Sequence, residues 1–148
     1  MSDFEDALRG TMSNQNSAFE QADADLRAET NTASLGIEKL TNNRGSLSLA
    51  LSQEEGAGVW YALELLFHIA GLGNDSPHQG ADRTKKYTLG TFFVPWKGYP
   101  IRTGYGQSLP DRPSIAAYFV EMARNPTSPL VNYLTFNMRR QEQAVAGG

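Results

Sequence analysis

The chain has 148 residues, 40% of them hydrophobic and 20% charged, with a net charge of −3. That length and balance describe one ordinary globular domain with a core of its own and exclude a disordered chain. No apolar run approaches the roughly 20 residues of a membrane helix, and cysteine is absent, which removes disulfides, thiol catalysis and zinc–thiolate sites. The acidic start MSDFEDALRG lacks the basic region and apolar stretch of a signal peptide, so a cytoplasmic protein with no membrane partner is expected.

Charge is segregated along the chain. Residues 1–40 carry eight acids and three bases, whereas residues 81–148 carry four acids and nine bases. The two parts can attract one another within the fold or across an oligomer, or the basic part can meet an anionic partner; a merely solvated surface is equally open.

Residues 3–40 read as a helix, with Ser2 or Asp3 as its cap and Glu5 and Asp6 suited to its positive end. Met12, Phe19, Leu26, Ala33 and Leu40 recur every seven residues in a narrow seam, while Gln15, Glu29 and Gly36 are poor core residues. This helix either lies across its own sheet or joins protomers of a homo-oligomer, and Gly36 is a candidate break. After the turn residues 41–45, SLSLALS over 46–52 alternates strictly, as a half-buried strand does.

Residues 59–70, VWYALELLFHIA, are apolar on both faces. Their β-branched and aromatic content favours a central strand over a helix with Glu64 and His68 at i and i+4, and a helix is expected to cover each face. Gly71–Thr84 is a long polar loop. Tyr87–Val94 and Tyr99–Thr103 form a hairpin around Pro95–Gly98, with Tyr87, Leu89, Thr91 and Phe93 on one face. Pro113 and Pro129 each sit in the first turn of a helix. The fold class is therefore α+β: a long N-terminal helix, a four-stranded antiparallel meander and two C-terminal helices. Residues 1–43 form a helical segment for packing or oligomerisation, 44–143 the α+β domain and 144–148 a disordered tail.

No catalytic or family motif is present. His68 lies in an apolar segment and reads as a packed residue, and His78 with Asp75 and Asp82 matches no metal-ligand spacing. Glu54-Glu55 falls in a turn, no serine stands in a nucleophile elbow, and the lone G-x-G pieces at Gly71 and Gly104 lack a phosphate-loop continuation. The remaining constellation is aromatic and basic: Arg83, Lys85, Lys86, Tyr87, Trp96, Lys97, Tyr99, Arg102 and Tyr105. Rings stack on planar bases and cations hold phosphate, although Trp96 and Tyr99 would equally serve to pack the hairpin.

The expected function is a non-enzymatic, homo-oligomeric binding protein for an anionic small molecule, such as a nucleotide or cyclic nucleotide signal. Its ligand-binding residues would be Arg83, Lys85, Lys86, Trp96, Tyr99, Arg102 and Tyr105, with no cofactor and no metal. A phage or bacterial accessory protein that sequesters such a signal fits this outline. Duplex nucleic acid is not an expected partner of a net acidic chain without a recognition helix. The alternative is a protein-interaction module (an inhibitor, immunity or assembly factor) acting through the acidic helix or a sheet edge.

Overall fold

A computed structural model describes residues 2–69 and 83–146. The loop expected at Gly71–Thr84 lies outside the described residues except for Arg83 and Thr84, and with it lie Asp75, His78, Asp82 and the first G-x-G piece.

The order is α1 (Asp3–Leu40), β1 (Gly45–Glu54), β2 (Gly58–Ile69), β3 (Arg83–Pro95), β4 (Ile101–Thr103), β5 (Ser108–Leu109), α2 (Arg112–Arg124) and α3 (Pro129–Ala146). The strands form one antiparallel sheet in the order β1-β2-β3-β4-β5. The expected α+β architecture is present, and the chain adds a fifth short strand, Ser108–Leu109, to the four-stranded meander. Helix α3 continues through most of the stretch expected to be a tail. No helix among the described residues is long and apolar enough to cross a membrane.

Helix α1 starts where Ser2 Oγ accepts the Glu5 amide at 3.1 Å, as a serine cap should. It runs through Gly36 without a break, because a single glycine costs a helix only about 1 kcal/mol and the flanking turns are anchored at Ser34 and Ile37. The seven-residue seam changes role along its length. Leu26 is fully buried on the sheet and Phe19 half-buried, whereas residues 2–17 are all exposed.

On the sheet's core face the register aligns Leu47, Leu65 and Tyr87, then Tyr61 and Phe92, then Val59 and Val94. A bulge makes this possible. Leu63 pairs with Gly90 and Glu64 with Thr88, so Leu89 is the extra residue and the facing of β3 reverses across it. Tyr87 therefore shares a face with Phe92 and Val94, not with Thr91 and Phe93 as simple alternation predicts.

All three helices meet this one face. Asp23 of α1 accepts from the Tyr61 hydroxyl, Tyr118 and Phe119 of α2 pack on Phe92, and Tyr133 of α3 stacks on Tyr87 with centroids 4.0 Å apart. The expectation that helices cover both faces of β2 is thus corrected. Trp60, Ala62, Glu64, Leu66 and His68 are only half-buried on the opposite side. Small and polar neighbours across the rows keep that face wettable, with Ser48 and Thr88 flanking Glu64, Ala50 and Thr91 flanking Ala62, and Lys86 paired to Glu64 at 3.7 Å.

Edge strand β1 is guarded at its start. The Gly45 amide donates to Thr41 Oγ1 at 2.8 Å and the Leu47 amide to Ser34 Oγ at 2.9 Å, so two outward donors that would recruit another strand are satisfied by α1 and its C-cap. Substituting Ser34→Ala should leave the buried Leu47 amide unpaired, at about 1–3 kcal/mol in urea unfolding. It should also raise aggregation of the SLSLALS edge in light scattering; a variant as stable and as soluble as the parent would refute the guarding role.

Candidate functional site

The turn between β3 and β4 is built by a close approach to α1. Gly98 has φ +89°, and a Cβ there would stand 2.8 Å from the Ala18 carbonyl oxygen. Only glycine suits both the conformation and the gap. Beside this contact Phe19 packs on Trp96, ring centroids 5.0 Å apart. The Trp96 indole donates to the Glu55 carbonyl at 3.2 Å and the Trp60 indole to Glu55 Oε1 at 2.9 Å. Glu55, expected only as solvated turn charge, thus fixes two tryptophans.

These contacts frame a cavity of about 380 Å³ at the end of the sheet, lined by Gln15 of α1, Gly56 and Ala57 of the β1–β2 turn, Phe93, Pro95, Trp96, Lys97, Pro100 and Arg102. Arg102 reaches it because its register partner is Phe93, which in turn faces Trp60 across β2. Neither Lys97 nor Arg102 has a side-chain ion pair or hydrogen bond to another described residue. No acidic side chain lines the cavity among the described residues. Two aromatic rings and two cations without an ion-pair partner among the described residues therefore line a space within the usual range for small ligands, roughly 300–1,000 Å³.

The other expected ligand residues are dispersed. Lys85 and Lys86 stand ten or more residues back along β3, roughly 30 Å from Trp96 at the rise of a strand, and Lys86 is engaged by Glu64. Arg83 begins β3, and its side chain lies outside the described residues. Tyr105 is 94% exposed and borders a separate hollow with Tyr118. Burial raises the Tyr118 hydroxyl pKa above the ordinary tyrosine value, with Tyr105 adding to the effect.

The second G-x-G piece has no amides to spare at its glycines: Gly104 donates to the Thr91 carbonyl, Gly106 to the Thr103 carbonyl, and the next amide, Gln107, to Thr103 Oγ1. His68 Nδ1 lies 3.2 Å from Thr84 Oγ1 across β2 and β3. No group of acids and histidines that would hold a metal occurs among the described residues.

Tyr99 turns away from the cavity. Its hydroxyl donates to Asp25 Oδ2 at 2.6 Å, and the same carboxylate accepts from Gln21 at 2.9 Å and faces Arg112 at 3.8 Å. Arg112 also donates to Glu29 at 2.8 Å. Part of the charge segregation in the sequence is therefore discharged inside the fold. Burial first, then the hydrogen bond to Asp25, pushes the Tyr99 hydroxyl well above the tyrosine range.

The lining residues outside the expected ligand-binding set are Phe93, Pro95, Lys97, Pro100 and the three contributed by distant segments, Gln15, Gly56 and Ala57. Gln15 carried a signal, a polar residue interrupting the apolar seam between Met12 and Phe19.

Two outcomes are expected from this arrangement. Gly98→Ala should cost about 2 kcal/mol or more in chemical unfolding, since it combines a positive φ with a backbone clash; a change within experimental error would disprove the close approach. A raised tyrosine pKa contributes stability that is full below the unfolded value, about 10, and is lost as pH rises through the folded value. Urea unfolding between pH 8 and 11 should show that alkaline loss in the parent chain and a smaller one in Tyr99→Phe. Equal slopes would count against the buried Tyr99–Asp25 bond.

The chain matches no protein-family model, no curated protein and no solved structure.

Proposed function

We propose that the protein is a non-enzymatic, homo-oligomeric binding protein that takes an anionic, ring-bearing small molecule, a nucleotide or cyclic nucleotide, in the cavity of Phe93, Trp96, Lys97 and Arg102. One observation carries the reading: two aromatic rings and two cations without an ion-pair partner among the described residues line a single cavity with no acidic side chain in its described wall. Stacking and charge-assisted hydrogen bonds are the two interactions that a base and its phosphate require. The binding set is narrower than the sequence implies. Trp96 and Arg102 remain, Phe93 and Lys97 join them, and Lys85, Lys86, Tyr99 and Tyr105 drop out by position.

Calorimetric titration with nucleoside monophosphates, diphosphates and cyclic nucleotides tests this. Arg102→Ala and Trp96→Ala should each weaken binding by about tenfold or more, the equivalent of roughly 1.4 kcal/mol, while Lys86→Ala and Tyr105→Ala leave it unchanged. Absence of heat with every nucleotide, or full affinity in folded Arg102→Ala, would reject the assignment.

A second reading, a protein-interaction module, draws on the exposed apolar side chains Phe4, Leu8 and Met12 on the acidic start of α1. A one-to-one complex with a basic protein that is indifferent to nucleotides would favour it.

A further inference from the structure

Glu55 and Trp60 stand beside the candidate cavity without lining it. The β1–β2 turn closes where the Glu55 amide donates to the Gly58 carbonyl at 2.8 Å, and the turn gives Gly56 and Ala57 to the cavity wall. Gly58 lies so close to β3 that a Cβ there would clash with the Val94 carbonyl oxygen. The turn is therefore seated against the strand end that carries Phe93 and Trp96.

Trp96 is held to this turn twice. Its amide donates to the Ala57 carbonyl at 3.0 Å and its indole to the Glu55 carbonyl at 3.2 Å. The Glu55 carboxylate serves the second ring of the cavity. Its Oε1 accepts from the Trp60 indole at 2.9 Å. Trp60 is the register partner of Phe93 and packs on it, with ring centroids 5.0 Å apart and planes tilted by 46°. A half-buried side chain such as Trp60 keeps access to more than one rotamer unless a directional bond selects one.

We propose that Glu55 is a positioning residue for the ligand: its carboxylate, through Trp60, sets the tilt of Phe93, while its carbonyl holds Trp96, so that one turn residue presents both rings to the bound base. The role rests on the nucleotide reading of the cavity. It also runs against charge, since a carboxylate near a phosphate weakens binding by Coulomb repulsion. Positioning and charge thus give opposite signs when the side chain is removed. An indole N–H is a donor only, so Trp60 requires an acceptor oxygen and has no need of the negative charge.

Calorimetry with nucleoside monophosphates, diphosphates and cyclic nucleotides, alongside NMR of the indole N–H groups, separates the two roles. The chain has two tryptophans, so Trp60→Phe identifies one indole signal by removing it. Glu55→Ala should shift the Trp60 signal more than that of Trp96, whose acceptors are main chain, and weaken binding roughly three- to tenfold, the range of one lost hydrogen bond. Glu55→Gln, which removes the charge and keeps an acceptor oxygen, should restore the binding that Glu55→Ala loses. Trp60→Phe, which keeps a ring on Phe93 without the N–H, tests the same bond from its other side. It should weaken binding as Glu55→Ala does, and the two substitutions together should weaken it no further. Tighter binding in both Glu55→Ala and Glu55→Gln would mean that the residue acts only as charge, which overturns the proposal. Parent affinity in Glu55→Ala, or a Trp60 signal that does not move, overturns it equally. A parent chain that binds no nucleotide rejects the reading of the cavity and the positioning role with it, whereas failure of the positioning role alone shows only in the variants.

Discussion

Asp25 is the acid on which the placement of α1 depends. It is 7% exposed, and a carboxylate at that depth needs partners for its lone pairs. It takes them from three directions: Gln21 one turn earlier on its own helix, Tyr99 from the β3–β4 connection, and Arg112 from the first turn of α2. One side chain thus ties the long helix to the sheet's far turn and to the next helix. Asp23 and Tyr61 add a second such tie over β2. Together with the close approach of Ala18 to Gly98, these hydrogen bonds oppose sliding of the helix over the sheet.

That placement has consequences at both ends of the helix. It seats Ala18 against Gly98 and Phe19 against Trp96, closing one wall of the cavity with Gln15. It also carries the first three turns, before Gln15, beyond the sheet, where Phe4, Leu8 and Met12 are exposed. The candidate ligand site and the exposed apolar stripe are therefore two results of one placement. At the opposite end the helix delivers Ser34 and Thr41 to the open edge of β1, which shows how a long sheet edge with little charge can be tolerated.

Much of this was legible in the residues. The alternation of Leu47, Leu49 and Leu51 with small residues marks a strand, although only Leu47 is buried: Leu49 is half-buried and Leu51 is 60% exposed. Pro113 announces the start of α2, where Asp111 and Ser114 form the reciprocal cap. Of the four side chains proposed to contact ligand, Trp96 and Arg102 belong to the ligand-binding residues expected from the aromatic and basic hairpin. What escaped was set by geometry that local pattern does not encode. The bulge at Leu89 changes which side chains face the core, since one extra residue reverses the parity of a strand. Glu55 looked like turn charge because the two indoles it binds lie 5 and 41 residues away.

Element types and the hydrophobic seam follow from the residues, because period, capping and turn chemistry act over a few residues and need no distant partner. Tertiary structure alone decided that all three helices share one face of the sheet, that Lys85 and Lys86 stand far from Trp96, and that Gln15 completes the cavity. These outcomes turn on strand register and on where buried polar groups such as Asp25 find their partners. Such partners are brought together only by the closed chain, across separations that periodicity does not reach.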